Sequence, residues 1–258
     1  MNCWLVYNKA DVKRNSAYID MYFCECKKMG IDIKLVYEDE LVLEKEKPDF
    51  CIFRAINPHM TKMLENNGIL TFNNSKVAEI CNDKRRTYDY MSDAKIDIME
   101  IYSYENMKFP CVVKSAWGRG GTEVFLVKNK EEYDKIRMSD KVIQKLSNNP
   151  GRDLRVYVIG KKIIASILRS SDKDFRSNYS LGGRADIYEL SHDEKALIYK
   201  ITDMFDFGLV GIDFIFNNNK IIFNEIEDVA GARMLYEKTD INLVEEYLKY
   251  IIKRTGCG

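Results

Sequence analysis

The fold class the sequence predicts is α/β passing into α+β, and three observations predict it. Ahead of a polar connection near residues 93–108, short apolar runs alternate with stretches of helical spacing, as in an open α/β sheet. From Phe109 onward, paired apolar runs flank turn residues, as in hairpins. Finally, a chain of 258 residues, 46% hydrophobic and 31% charged, can bury a substantial core, and four prolines are too few for a fibrous or disordered chain.

Taken in order, residues 4–7 form a compact apolar run fit for a strand. Residues 17–29 carry apolar side chains at helical spacing, and Gly30 ends them. Residues 31–36 and 50–53 read as further strands. Asn57-Pro58 opens a helix that Asn67-Gly68 closes, with proline near its first turn and glycine just past its last. Residues 69–72 make another strand, and a helical stretch follows through Lys84, Arg85 and Tyr88. Beyond the polar connection, residues 111–114 and 124–127 flank a glycine-rich turn, and 142–144 resemble a strand. Residues 154–160 and 162–168 form a hairpin about Gly160-Lys161. A helix over 193–204 precedes a second hairpin, 209–216 with 221–227, turned at Asn217-Asn218-Asn219. The last helix covers 241–254, with Ile241, Val244, Leu248 and Ile251 at apolar positions. No internal repeat or low-complexity tract appears, and the expected units are 1–75, 76–145 and 146–258.

Forty basic residues balance forty acidic ones, so no global field draws the chain to nucleic acid or to an anionic membrane. No apolar run approaches the roughly 20 residues that cross a bilayer, and the expected compartment is the cytosol. Seven scattered cysteines suit buried thiols better than a disulfide framework. Cys24 and Cys26 are the one close pair; with only His59 and His192 to complete a metal site, core packing on a helix is the better account. A monomer and a homo-oligomer are both compatible with the sequence.

Three groups of residues carry chemistry. Asp213 lies on one arm of the last hairpin, with Glu225 and Glu227 on the other. Strand alternation points the two glutamates to one face, and the turn length brings Asp213 near Glu225. At about 5 Å and an effective dielectric near 20, each such pair repels by roughly 3 kcal/mol, against the 0.2 to 1 kcal/mol or so of a good cross-strand contact. A cation is the expected remedy, and an all-oxygen donor set favours magnesium or manganese over zinc. A solvated hairpin face screened by water is the alternative, and Asp213→Asn is expected to lower turnover while leaving folding largely intact.

The second group is Lys114-Ser115-Ala116-Trp117-Gly118-Arg119-Gly120-Gly121-Thr122. Its glycines let successive amides approach anionic oxygens, with Lys114 or Arg119 as countercharge. It matches neither the Walker pattern nor a dinucleotide fingerprint, and a plain glycine-rich turn is the competing reading. The third group is Asp153 and Arg155 on one strand, Arg169 on the next, and Phe175-Arg176-Ser177-Asn178 followed by Gly182-Gly183-Arg184. Positioned cations beside a carboxylate-bound metal suit phosphoryl transfer, whereas surface ion pairing is the alternative for each arginine singly.

In this order, the pieces resemble the ATP-grasp superfamily, most closely its RimK-type carboxylate–amine ligases, which add glutamate or related amino acids. The resemblance runs from about Asn74 to the C-terminus. It rests on Asp174-Phe175-Arg176-Ser177-Asn178, Gly182-Gly183, Gly211-Ile212-Asp213 and Asn224-Glu225-Ile226-Glu227. It implies an ATP-grasp fold with a small N-terminal open-sheet α/β domain and two lobes that clasp ATP. Lys84 and Lys114 match nucleotide-binding lysines, and Gly118, Gly120 and Gly121 match the loop over the phosphates. Gln144 and Lys145 match the strand that meets adenine, and Asp153 and Ser177 match further nucleotide contacts. Asp213, Glu225 and Glu227 match ligands of Mg2+, or Mn2+, while Arg169, Arg176 and Asn178 are the candidates for stabilising an acylphosphate or holding a carboxylate.

Two departures stand out: Glu227 and Val229-Ala230-Gly231 replace the family's usual asparagine and Ser-Pro-Gly, and Gln144 occupies a position often held by glutamate. The implied reaction joins a small-molecule or peptide carboxylate to an amine through an acylphosphate, releasing ADP and phosphate. An enzyme that modifies or cyclises a ribosomal peptide, and a nucleotide-binding module without catalysis, are the alternatives.

Overall fold

The computed structural model describes residues 1–43, 46–118, 123–177 and 183–256. Its first sheet contains β1 (Asn2–Tyr7), β2 (Asp32–Tyr37), β3 (Phe50–Phe53) and β4 (Leu70–Phe72), in the order β2-β1-β3-β4 with every neighbour parallel. Between them run α1 (Lys9–Val12), α2 (Ser16–Lys28) and α3 (Pro58–Asn66). Cys3 through Tyr7 are all buried, as expected of a parallel strand covered on both faces. Asn57 caps α3 by accepting from the Met60 amide at 2.9 Å, and Gly68 follows the helix at φ +80°, so the proline and glycine signals act as the sequence implies.

The helical stretch through Lys84 is two helices, α4 (Ser75–Cys81) and α5 (Lys84–Asp93). Asp83 divides them: its backbone is extended and its carboxylate accepts from the Arg85 amide at 3.0 Å, an N-cap placed inside an otherwise helical run. Lys84 is thereby the first residue of α5. Val77, Cys81, Tyr88 and Met91 from these helices bury themselves in the core of the third sheet, described below.

The second sheet is antiparallel and has the order β5-β8-β6-β7, formed by β5 (Ile101–Tyr102), β6 (Cys111–Ser115), β7 (Val124–Val127) and β8 (Lys141–Lys145), with α6 (Lys130–Lys135) beside it. β5 falls within the stretch read as a polar connection. Two paired residues are too short a run for periodicity to disclose.

The third sheet has the order β11-β10-β9-β12-β13, all antiparallel. Its strands are β9 (Arg152–Ile159), β10 (Lys162–Ser170), β11 (Arg184–Ile187), β12 (Leu209–Asn217) and β13 (Lys220–Glu227). The helices α7 (His192–Thr202), α8 (Arg233–Lys238) and α9 (Leu243–Thr255) complete the chain. Val244, Tyr247, Leu248 and Ile251 of α9 share one core with Leu5, Tyr22, Phe50 and Ile52, so the C-terminal helix roofs the N-terminal sheet.

The β12–β13 hairpin determines the geometry of the site. Asn218 and Asn219 turn it at φ +50° and +58°, a left-handed pair that asparagine tolerates and a two-residue hairpin requires. From that turn Asn217 pairs with Lys220 and Phe214 with Phe223, but Asp213 pairs with Glu225. The extra residue is Asn224, a bulge. Were the same residues paired without the slip, Asp213 would face Asn224 and both glutamates would turn to the opposite face. The burial pattern follows the slip, with Ile221 and Phe223 buried before the bulge and Ile226 after it.

Among the described residues no helix is long and apolar enough to cross a membrane. Of the described cysteines, Cys26 is buried in the core and Cys24 is exposed, the arrangement of a packed helix face.

Candidate active site

β9, β10, β12 and β13 aim charged side chains at one end of the third sheet. Arg155 donates from Nε to Asp213 Oδ1 at 2.7 Å and from Nη2 to Asp213 Oδ2 at 2.6 Å, and Nη2 also lies 2.7 Å from Glu227 Oε1. Arg169 donates from Nη2 to Asp213 Oδ2 at 2.8 Å and from Nε to Asp153. Ser177 Oγ, buried beneath, donates to Asp153 Oδ2 at 2.6 Å. Burial raises the Asp213 carboxyl, but Arg155 and Arg169 more than offset it and hold it down to about 2. Asp153 is raised instead, by its own burial and by Asp213, against the pull of Arg169. Burial raises Glu227 as well, with Asp213 and Glu225 adding to it and Arg155 opposing.

The expectation that the hairpin carboxylates need an added cation to sit together is corrected here. One carboxylate oxygen each from Asp213, Glu225 and Glu227 do gather within 4.8 Å of one another. Their repulsion, however, is met by guanidinium and ammonium groups of the chain itself, with Lys84 Nζ 3.3 Å from Glu225 Oε2 completing the set. The expectation that Asp213→Asn leaves folding intact falls with it, because Asp213 is 2% exposed and holds two buried arginines.

Lys84 and Lys114 approach from the other side. Lys84 Nζ donates to Gly118 O at 2.6 Å, fastening the start of the glycine-rich segment. Lys114 Nζ donates to the Tyr88 hydroxyl and, at 3.1 Å, to Oδ1 of the bulge residue Asn224. Burial above all, with Lys84 adding to it and Glu225 opposing, draws the Lys114 ammonium down to about 7.

Gln144 is buried on β8 with Nε2 3.4 Å from Met99 O, and the Lys145 amide is taken by Glu100 O at 2.8 Å while its side chain reaches outward. The Lys145 amide is therefore committed to the sheet. Arg176 forks onto its neighbour Asp174, with Nη2 2.8 Å from Oδ2.

Every described residue that the resemblance gives a role, except Glu227, lines one cleft with about 860 Å³ of empty space, part of it open to solvent. Glu227 lines an adjoining chamber together with Lys84, Arg155 and Glu225. Gly120, Gly121, Asn178 and Gly182 lie outside the described residues. Arg155, grouped with Asp153 from the sequence, and Tyr88 and Asn224, the latter quoted only within its motif, are site residues to which the sequence reading assigns no role. Arg155 carried a usable signal, since residues 153 and 155 of a strand share a face. Tyr88 and Asn224 carried none, because the helix packing and the bulge that place them are tertiary.

A RimK-like ATP-grasp domain model matches residues 74–251. The chain is 28% identical over 257 residues to a protein of Mycoplasma pneumoniae named only as uncharacterized, covering 95% of this chain and 90% of that one. It is 26% identical over 222 residues to a protein of Sulfolobus acidocaldarius named glutamate–LysW ligase, covering 78% of each. Its fold is shared with a D-alanine–D-alanine ligase from Bacillus anthracis complexed with ATP, at a TM-score of 0.76 and 15% identity over 100% of this chain and 98% of that one.

Proposed function

The chain belongs to the RimK-like ATP-grasp family of ligases that form C–N bonds, and from that premise we propose that it activates a carboxylate with ATP and joins it to an amine, releasing ADP and phosphate. The observation that carries the reading is the trio Asp213, Glu225 and Glu227, gathered where the cleft that Lys84 and Lys114 enter adjoins the second chamber.

The trio fits a hard divalent ion. Oxygens within 4.8 Å of one another are close to the ~4.2 Å that two opposed ligands at about 2.1 Å span. Asp213 can still contribute: of the roughly four lone-pair positions of a carboxylate, Arg155 and Arg169 engage three. A bound Mg2+ would supply neutralising charge to the β- and γ-phosphates of ATP, the setting in which ATP-grasp proteins use it.

The chain's own residues account for the rest. Lys84 and Lys114 orient the phosphates, and Gly118 places the start of the covering loop. The substrate carboxylate attacks the γ-phosphorus, the bond to the ADP oxygen breaks, and the acylphosphate so formed is exposed to the amine. Nitrogen attack on its carbonyl carbon then expels phosphate and gives the amide. Arg176, the more exposed of the two arginines lining the cleft, is the candidate for holding phosphoryl oxygens in transit. No protein nucleophile is needed, because positioning and charge supply the catalysis.

The test is release of ADP against a panel of acid and amine pairs, with product mass as the second readout. L-glutamate is the first compound to offer, in either role, since it appears in the name of the Sulfolobus relative. ADP and phosphate appearing only with a matched pair is the expected result; AMP and pyrophosphate would overturn the scheme.

A further inference from the structure

The second chamber holds about 1870 Å³ of empty space, including its opening to solvent, between the N-terminal sheet and the far side of Glu225 and Glu227. Arg54 lines it, 5% exposed and directly after β3. Its Nε donates to the Tyr7 hydroxyl and its Nη2 to Ala230 O, each at 2.9 Å, and the Tyr18 ring centroid lies 4.9 Å from the guanidinium carbon. All three partners are neutral. Arg155 and Arg169, equally buried, each touch two carboxylates, whereas among the described residues no carboxylate lies within 4.0 Å of Arg54. Arginine cannot shed its proton to escape burial, and a buried cation with only neutral partners is costly to keep.

Its position in the fold adds a second argument. The chain leaves β1 for β2 on one side and continues to β3 on the other, so the strand order reverses at β1. Tyr7 ends β1 and Arg54 follows β3, which puts the pair in the crevice at the carboxyl ends of the strands, where open α/β sheets receive ligands. The described carboxylates that line the chamber are engaged elsewhere, Asp228 by the Asn82 side-chain amide at 2.8 Å. Asp11 is engaged by Arg14 at 2.9 Å, Glu225 by Lys84 at 3.3 Å and Glu227 by Arg155 at 2.7 Å.

We propose that Arg54, steadied by Tyr7 at this switch point, binds a substrate carboxylate other than the one activated on ATP. The substrate then lies across the chamber, its reacting end toward Glu225 and Glu227. This rests on the ligase reading above. The carboxylate is either the side-chain or the α-carboxylate of that substrate, and one experiment separates the two.

The full chain, saturated with Mg2+ and a non-hydrolysable ATP analogue, is titrated calorimetrically with L-glutamate, with L-glutamine, which lacks the side-chain carboxylate, and with 4-aminobutyrate, which lacks the α-carboxylate. In the wild type one of the two losses is expected to weaken binding about tenfold or more, the size of a charge-assisted hydrogen bond. Arg54→Gln is expected to abolish that discrimination while the nucleotide analogue binds as before. Discrimination lost against L-glutamine assigns the side-chain group; discrimination lost against 4-aminobutyrate assigns the α-carboxylate.

A purely structural latch between the N-terminal sheet and Ala230 predicts instead that Arg54→Gln weakens all three ligands equally, and that result overturns the proposal. Unaltered discrimination in the variant, or a wild type that takes up nucleotide but no L-glutamate, overturns it too. If Arg54→Gln does not fold, Arg54→Met serves with the same two outcomes. Failure of the wild type to bind the nucleotide analogue is a separate result that removes the ligase reading itself.

Discussion

Asp213→Asn offers the sharpest test of how the site is held together. The substitution keeps the shape of the side chain and one acceptor oxygen but removes the charge that faces Arg155 through two hydrogen bonds and Arg169 through one. Breaking a buried ion pair from one side costs about 3 to 5 kcal/mol, because the remaining charge stays buried and uncompensated. For 258 residues an unfolding entropy of about 2.1 cal/mol/K per residue gives roughly 0.54 kcal/mol/K, so the loss corresponds to about 6 to 9 °C in Tm at neutral pH.

Acid titration checks the same arithmetic independently. Asp213 has a folded pKa of about 2, below its unfolded value near 3.8, so its contribution is complete above pH 4 and is lost as pH falls through about 2. That difference corresponds to about 2 kcal/mol. Scanning calorimetry of wild type and variant from pH 2 to 7 should show the gap in Tm closing across this window, together with a collapse of turnover at neutral pH. A variant within about 2 °C of wild type at pH 7, with turnover lost, would refute the reasoning, since the arginines would then not depend on Asp213.

Glu225→Gln should behave in the opposite manner: its side chain is a quarter exposed and pairs with Lys84 at 3.3 Å, so the stability change should stay within about 1 kcal/mol by thermal unfolding. Turnover and Mg2+-dependent ATP uptake should fall sharply all the same, and unchanged uptake would remove Glu225 from the ion-binding set. With Lys114 near 7, phosphate binding should capture a proton above that pH. ATP affinity should therefore fall with rising pH between 7 and 9, by up to about tenfold per unit, and titrations in buffers of different ionisation enthalpy should register the uptake. Lys114→Met should abolish both the uptake and the slope.

Much of this was legible in the chain itself. Strand and helix periods, Asn57-Pro58 and the paired asparagines located their elements because those signals act over a few residues. Lys84, Lys114 and the acidic hairpin, which the structure gathers at one cleft, were legible as a combination of motifs in order. What escaped depends on contacts between distant segments. Arg54 and Tyr7 are 47 residues apart, and only the parallel sheet makes them neighbours. Arg155 reads as one more strand arginine until β12 and β13 fold beside it. The proximity of Asp213 to Glu225 was anticipated from turn length alone, yet a regular ladder would have aligned Asp213 with Asn224. The phase change from Ile221 and Phe223 to Ile226 was the visible trace of the slip.

The bulge at Asn224 adds a side chain to the site without altering which of the acidic residues face each other. A conservative replacement at 224 would disturb one contact to Lys114, and loss of the residue would remove that contact and close the ladder, leaving Asp213 opposite Glu225 and Gly211 opposite Glu227. A relative one residue shorter here should therefore keep its acidic pair on the same face and lack only the side chain that meets the lysine.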